Sequence, residues 1–92
     1  MPTQLIAHTK RPLSNNSFIE YKIWRLDKPK LGSSHLYAYR MVYVVDGVRV
    51  VGFDNERGKG DHCHIDGKEE PYYFVSVKTL VADFLAAVRK QL

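Results

Sequence analysis

The stretch HLYAYRMVYVVDGVRVVGFD, from His35 to Asp54, decides the fold. Two runs rich in β-branched and aromatic residues flank the pair Asp46-Gly47, the composition of two strands joined by a turn. Asp-Gly at that place is a strong hairpin signal, because a two-residue turn of the favoured twist needs positive φ at both positions. With Val45 opposite Val48, regular pairing puts Tyr43 opposite Val50, Met41 opposite Gly52 and Tyr39 opposite Asp54. These residues share one face, and Val42, Val44, Val51, Phe53, Arg40 and Arg49 take the other.

Working outward, SFIEYKIWRL (residues 17–26) has strand composition, and DKPKLGSS (27–34) breaks it with Pro29 and Gly32. Residues 1–16, ending in the polar TKRPLSNNS, read as an N-terminal arm. PYYFVSV predicts a further short strand near Tyr72–Val75. Ser76 then suits a helix N-cap, and Val77, Leu80, Val81, Phe84, Leu85 and Val88 form one apolar stripe at helical spacing. The expectation is an α+β fold: a small antiparallel sheet of about four strands, a meander with an Asp-Gly hairpin, packed by one C-terminal helix. It forms a single domain over 1–92, with an arm (1–16), a sheet (17–75) and a helix (76–92).

Composition narrows the class. Apolar residues make up 45% of the chain and aromatics 12%, which suits a globular domain rather than a disordered one. No apolar run approaches the roughly 20 residues of a membrane span, and the N-terminus lacks a signal-peptide pattern. The expected location is the cytoplasm, with no membrane partner. The single cysteine, Cys63, excludes an internal disulfide and cysteine-rich zinc modules. Residues 1–46 carry seven Lys/Arg against three acids, whereas residues 47–92 balance at seven each. That bias favours a polyanionic partner.

The chemistry concentrates in FDNERGKGDHCHIDGKEEPYYF, residues 53–74. In an extended segment His62 and His64 project to one face and Cys63 to the other. Two imidazoles on one face serve proton transfer near neutral pH, or ligate a divalent metal together with carboxylates. A plain polar strand edge is the third reading. Asp54, Asp61 and Asp66 are carboxylates within reach in sequence, and His8 or His35 can arrive from elsewhere. Gly58-Lys59-Gly60 combines backbone freedom with a cation, a combination that suits phosphate, although it is no P-loop. Asp54 is placed to orient an imidazole and Asn55 to hold backbone or substrate; both are also ordinary turn residues. The EEP stretch, Glu69–Pro71, can bear a catalytic carboxylate, but a solvated strand entrance is the commoner reading. Lys22, Arg25, Arg40 and Arg49 offer a basic sheet surface, and the strand tyrosines offer stacking or core-edge packing.

Tyr43–Val88, and in particular DN-x-x-GKG-x-H-x-H followed by E-P-Y-x-F, resembles the TumE family of bacterial toxins; the preceding residues from about Tyr21 fit the same pattern. The resemblance implies a small cytoplasmic protein encoded beside an antitoxin, commonly one with a helix-turn-helix DNA-binding domain, and an inhibitor of growth acting on RNA. It maps onto Asp54, Asn55, Gly58, Lys59, Gly60, His62 and His64, and less firmly onto Glu70 and Pro71. Relatives are expected to carry a basic residue between the two histidines, where this chain has Cys63.

Together these readings give an endoribonuclease with catalytic His62, His64 and Asp54, and with Lys59, Asn55, Gly58, Gly60, Arg57, Arg40 and Tyr39 as substrate contacts. No cofactor is expected on this reading, and a divalent metal at His62/His64 is the second one. A non-enzymatic protein-binding module of the same operon is the alternative.

Overall fold

The computed structural model describes residues 3–92. Six strands form one antiparallel meander in chain order: β1 (Thr3–Ser14), β2 (Ser17–Leu26), β3 (Tyr37–Val45), β4 (Val48–Glu56), β5 (Gly60–Ile65) and β6 (Lys68–Pro71). One helix, α1 (Val77–Arg89), follows and covers one face of the sheet. The α+β class and the C-terminal helix agree with the sequence reading, but the sheet is larger than about four strands. Among the described residues, no helix is long and apolar enough to cross a membrane.

Three parts of the reading change. The segment taken as an arm is β1, which pairs with β2 over most of its length. Its Pro12 is tolerated because an edge strand has one row of backbone groups outside the ladder. The polar stretch after Asp54, which falls outside the four expected strands, forms two further ones, β5 and β6, each closing a hairpin on its predecessor. The strand expected near Tyr72–Val75 is absent: β6 ends at Pro71, and residues 72–76 are irregular up to the helix.

The Asp46-Gly47 turn forms as expected, with φ of 51° and 76°, and Val45 faces Val48. One register step then intervenes. A bulge between Tyr43 and Val44 leaves Val50 unmatched, so Tyr43 faces Val51, Met41 faces Phe53 and Arg40 faces Asp54. Tyr39 therefore does not stand opposite Asp54. The bulge moves Val51 and Phe53 onto the same face as Tyr39, Met41 and Tyr43, and one uniformly apolar face results.

That face is the core. Ile19 and Ile23 of β2, Met41 of β3, Val51 of β4 and Leu80 and Phe84 of α1 are completely or almost completely buried. Phe84 meets Tyr21 and Phe53 edge-on, with ring centroids 6.2 and 5.9 Å apart. Ser76 caps the helix, its hydroxyl accepting from the Thr79 N–H at 3.1 Å. The opposite sheet face has no helix over it; Arg49 lies there in either register, and the bulge adds Asp54, with His62 and His64 following through the β4–β5 pairing.

Candidate active site

β4, β5 and β6 build the site on the uncovered face. Pairing places Gly52 opposite His64, Asp54 opposite His62, and Glu69 opposite His64. Cross-strand partners share a face, so alternation delivers Asp54, His62, His64 and Glu69 to the same side. The 57–59 turn adds Lys59 from the end of the hairpin. The side chains converge: Glu69 Oε1 lies 2.6 Å from Lys59 Nζ, 3.5 Å from His62 Nε2 and 3.6 Å from His64 Nε2. The two imidazole rings sit 5.4 Å apart, nearly perpendicular.

The two histidines occupy different environments. His62 is buried, 6% exposed as a residue. Its Nδ1 lies 3.1 Å from the Gly60 carbonyl; a carbonyl only accepts, so Nδ1 is the donor. Its Nε2 stands 2.6 Å from Asp54 Oδ1. That oxygen is buried and accepts no well-directed hydrogen bond, so the contact is close without being an aligned bond. Both ring nitrogens thus face oxygens. His64 is more open, its side chain 26% exposed, and Glu69 is the partner it meets. Lys59 donates to Glu69 and holds that carboxyl below the ordinary glutamate range, while Glu69 raises Lys59 in turn.

Gly58 and Gly60 have a structural explanation of their own. Both adopt positive φ, 81° and 79°. A Cβ on Gly60 would meet the Gly32 carbonyl oxygen at 2.9 Å, and one on Gly32 would meet Gly60 N at 3.0 Å. The hairpin tip thus packs backbone to backbone on the 27–34 loop, with Gly58 N–H donating to the Leu31 carbonyl at 2.6 Å. The glycines position Lys59 rather than cradle a ligand.

Other sequence candidates lie elsewhere. Asn55 and Tyr39 face the helix side. Asn55 Oδ1 accepts from the Tyr39 N–H at 2.9 Å and its amide donates to the Tyr37 carbonyl at 2.6 Å. Asp61, also on that side, accepts from Ser33, His35 and Tyr39 at 2.7 Å each. His35 Nδ1 accepts from the Tyr37 N–H, so its Nε2 carries the proton that Asp61 receives. Burial and the bond to Asp61 push the Tyr39 phenol far above its ordinary range. This saturated network fixes the loop to the sheet and leaves no free ligand group. His8 pairs with Glu20 near the β1 edge. Cys63 faces Phe53 and Glu70, away from the histidines, and burial pushes its thiol up. A basic residue is therefore not missing from the site because Cys63 stands there.

Sequence reasoning ranked a carboxylate role for Glu69–Pro71 second, yet Glu69 sits at the centre of the cluster. The signal was two acids two to four residues before a Tyr-Tyr pair, and nothing local marks one of them as inward. Arg57 is exposed on the turn, and Arg40 is exposed on the same face as Asp54. A shallow groove of about 400 Å³ runs across this face past Phe18, Lys22, Trp24, Arg40 and Arg49. A second depression joins Trp24, Arg40 and Arg49 to Asp54. Arg49 lies flat along β4 because Gly52 has no side chain: a Cβ there would stand 2.9 Å from Arg49 Cδ.

A family model described as Toxin TumE matches residues 4–92, nearly the whole chain. Comparisons with curated proteins and with solved structures gave no match.

Proposed function

The chain belongs to the TumE toxin family, and from that premise we propose that it is an endoribonuclease whose chemistry resides in His62 and His64. The observation that carries this reading is the convergence of two imidazoles, a carboxylate and an ammonium beside an uncovered basic groove. RNA supplies its own nucleophile, so cleavage needs only proton transfer and charge stabilisation.

In the proposed step, His64 Nε2 takes the proton of the 2′-hydroxyl. The 2′-oxygen bonds to phosphorus, the bond from phosphorus to the 5′-oxygen breaks, and the proton on His62 Nε2 passes to that leaving oxygen. The products are a 2′,3′-cyclic phosphate and a free 5′-hydroxyl. Asp54 balances the charge on His62, and the Gly60 carbonyl fixes its ring. Lys59 stabilises the charge that develops on the phosphoryl oxygens once substrate displaces its bond to Glu69. Lys22, Arg40 and Arg49 hold flanking phosphates, and Trp24 offers a face for a base.

A toxin family implies an antitoxin partner in general. That this partner carries a helix-turn-helix DNA-binding domain, and that the pair works in the cytoplasm, belong to the same proposal. Incubating the purified chain with a single-stranded RNA, with a chelator present, tests it. Cleavage leaving cyclic phosphate ends, lost in His64→Ala, is expected. A chain that binds its antitoxin yet leaves every RNA intact would instead be a protein-binding module.

A further inference from the structure

The same cluster has the shape of a metal site, and we propose that His62 Nε2, His64 Nε2 and Glu69 Oε1 bind a divalent transition-metal ion of the Zn²⁺ type. The three atoms lie within 4.8 Å of one another. Ligands at Zn–N and Zn–O bond lengths around a tetrahedral ion stand roughly 3.3 Å apart. Two of the three edges, 3.5 and 3.6 Å, are close to that already. The third, between the two Nε2 atoms, is within 4.8 Å, and a turn of the more exposed His64 ring would shorten it.

Two further features favour a ligand role. His62 donates Nδ1–H to the Gly60 carbonyl, the kind of backbone bond that fixes a metal-binding imidazole with Nε2 outward. Asp54 Oδ1 lies 2.6 Å from that same nitrogen, which sets a second carboxylate beside the ion's position. The donors are two imidazoles and a carboxylate, with Cys63 on the other face. That set suits Zn²⁺, Co²⁺ or Ni²⁺ rather than Mg²⁺, which prefers an all-oxygen shell.

Metal and proton compete for the same nitrogens. An ion on His62 Nε2 and His64 Nε2 removes both the acid and the base of the proposed cleavage, so occupancy switches that chemistry off. This consequence rests on the function proposed above, whereas the binding rests on the geometry. Lys59 is the built-in competitor, because its ammonium holds the Glu69 oxygen that the ion needs.

The test is a Co²⁺ titration of the purified chain followed by visible absorption, with Zn²⁺ displacing Co²⁺. The wild type is expected to develop a saturable ligand-field band. His64→Ala and Glu69→Gln should weaken binding about tenfold or more, the scale of supporting-residue effects at such sites, and Lys59→Met should tighten it. Circular dichroism checks that each variant folds, and Glu69→Gln, exposed and isosteric, keeps the test sound if His64→Ala does not. No band in the wild type, or equal Co²⁺ affinity in wild type and Glu69→Gln, overturns the site. RNA cleavage assayed alongside separates the two claims: Zn²⁺ inhibition reversed by chelator supports the switch, and cleavage that requires Zn²⁺ overturns it while leaving the binding site standing.

Discussion

At the scale of single residues, faces decide roles. His62 and His64 were legible from spacing alone, since alternation in any strand puts them on one side and Cys63 on the other. Asn55 was not, because Asp54-Asn55 looks the same whichever face each residue takes. In the fold Asp54 joins the histidines, while Asn55, 1% exposed, serves the backbone of β3. Asn55→Ala leaves a buried N–H and a half-buried carbonyl, which costs less, unpaired. Such groups cost about 1–3 kcal/mol each, so urea denaturation should show a loss of about 2–4 kcal/mol. The same argument applies to Glu69, whose sequence neighbours hide its place in the cluster: only pairing with β5 brings its carboxylate against both imidazoles.

At the scale of elements, the hairpins carry the site, and their legibility follows how much each strand buries. The β3–β4 turn was plain because Asp46-Gly47 sits between two apolar runs. The bulge at Val50 was not, because Val48, Val50 and Val51 satisfy either register by composition and only packing against α1 selects one. β5 was hidden by its own chemistry, since histidines and Asp61 replace the apolar residues that mark a strand. β6 is exposed at all four positions, and charges with a proline there guard an open edge. The β4–β5 turn depends on Gly60, where positive φ coincides with backbone contact. Gly60→Ala should destabilise by about 1–3 kcal/mol, since backbone strain and a close contact act together. Gly47→Ala is the control: its φ is similar but a Cβ there meets nothing within 4 Å, so thermal melts should show the smaller loss.

At the scale of the whole molecule, one face of the sheet is core and the other carries the candidate site. The helix covers the first; the second presents Lys22, Arg40 and Arg49 around Trp24, leading to the histidines. Electrostatic binding of a single strand falls with salt with a log–log slope of roughly −0.7 per phosphate neutralised. Arg40→Ala and Arg49→Ala should each weaken RNA binding across sequences and make that slope shallower by about 0.7, read by fluorescence anisotropy at several salt concentrations. A slope unchanged in both variants would place the RNA elsewhere. Composition alone suggests a polyanionic partner through the N-terminal excess of cations, but it does not assign a face, because Arg25, on the same strand as Lys22, turns to the helix side and lies over Tyr37.

The central claim is that His62 and His64 cleave RNA through its own 2′-hydroxyl. It is tested most directly by comparing an RNA oligonucleotide with its all-deoxy counterpart, under single turnover in the presence of chelator, for the wild type and for His64→Ala. The expected result is cleavage of the RNA alone, with cyclic phosphate ends, slowed about 10²- to 10⁴-fold in His64→Ala, the usual contribution of a positioned proton-transfer group. Equal cutting of the deoxy strand, or an undiminished rate in His64→Ala, would contradict it.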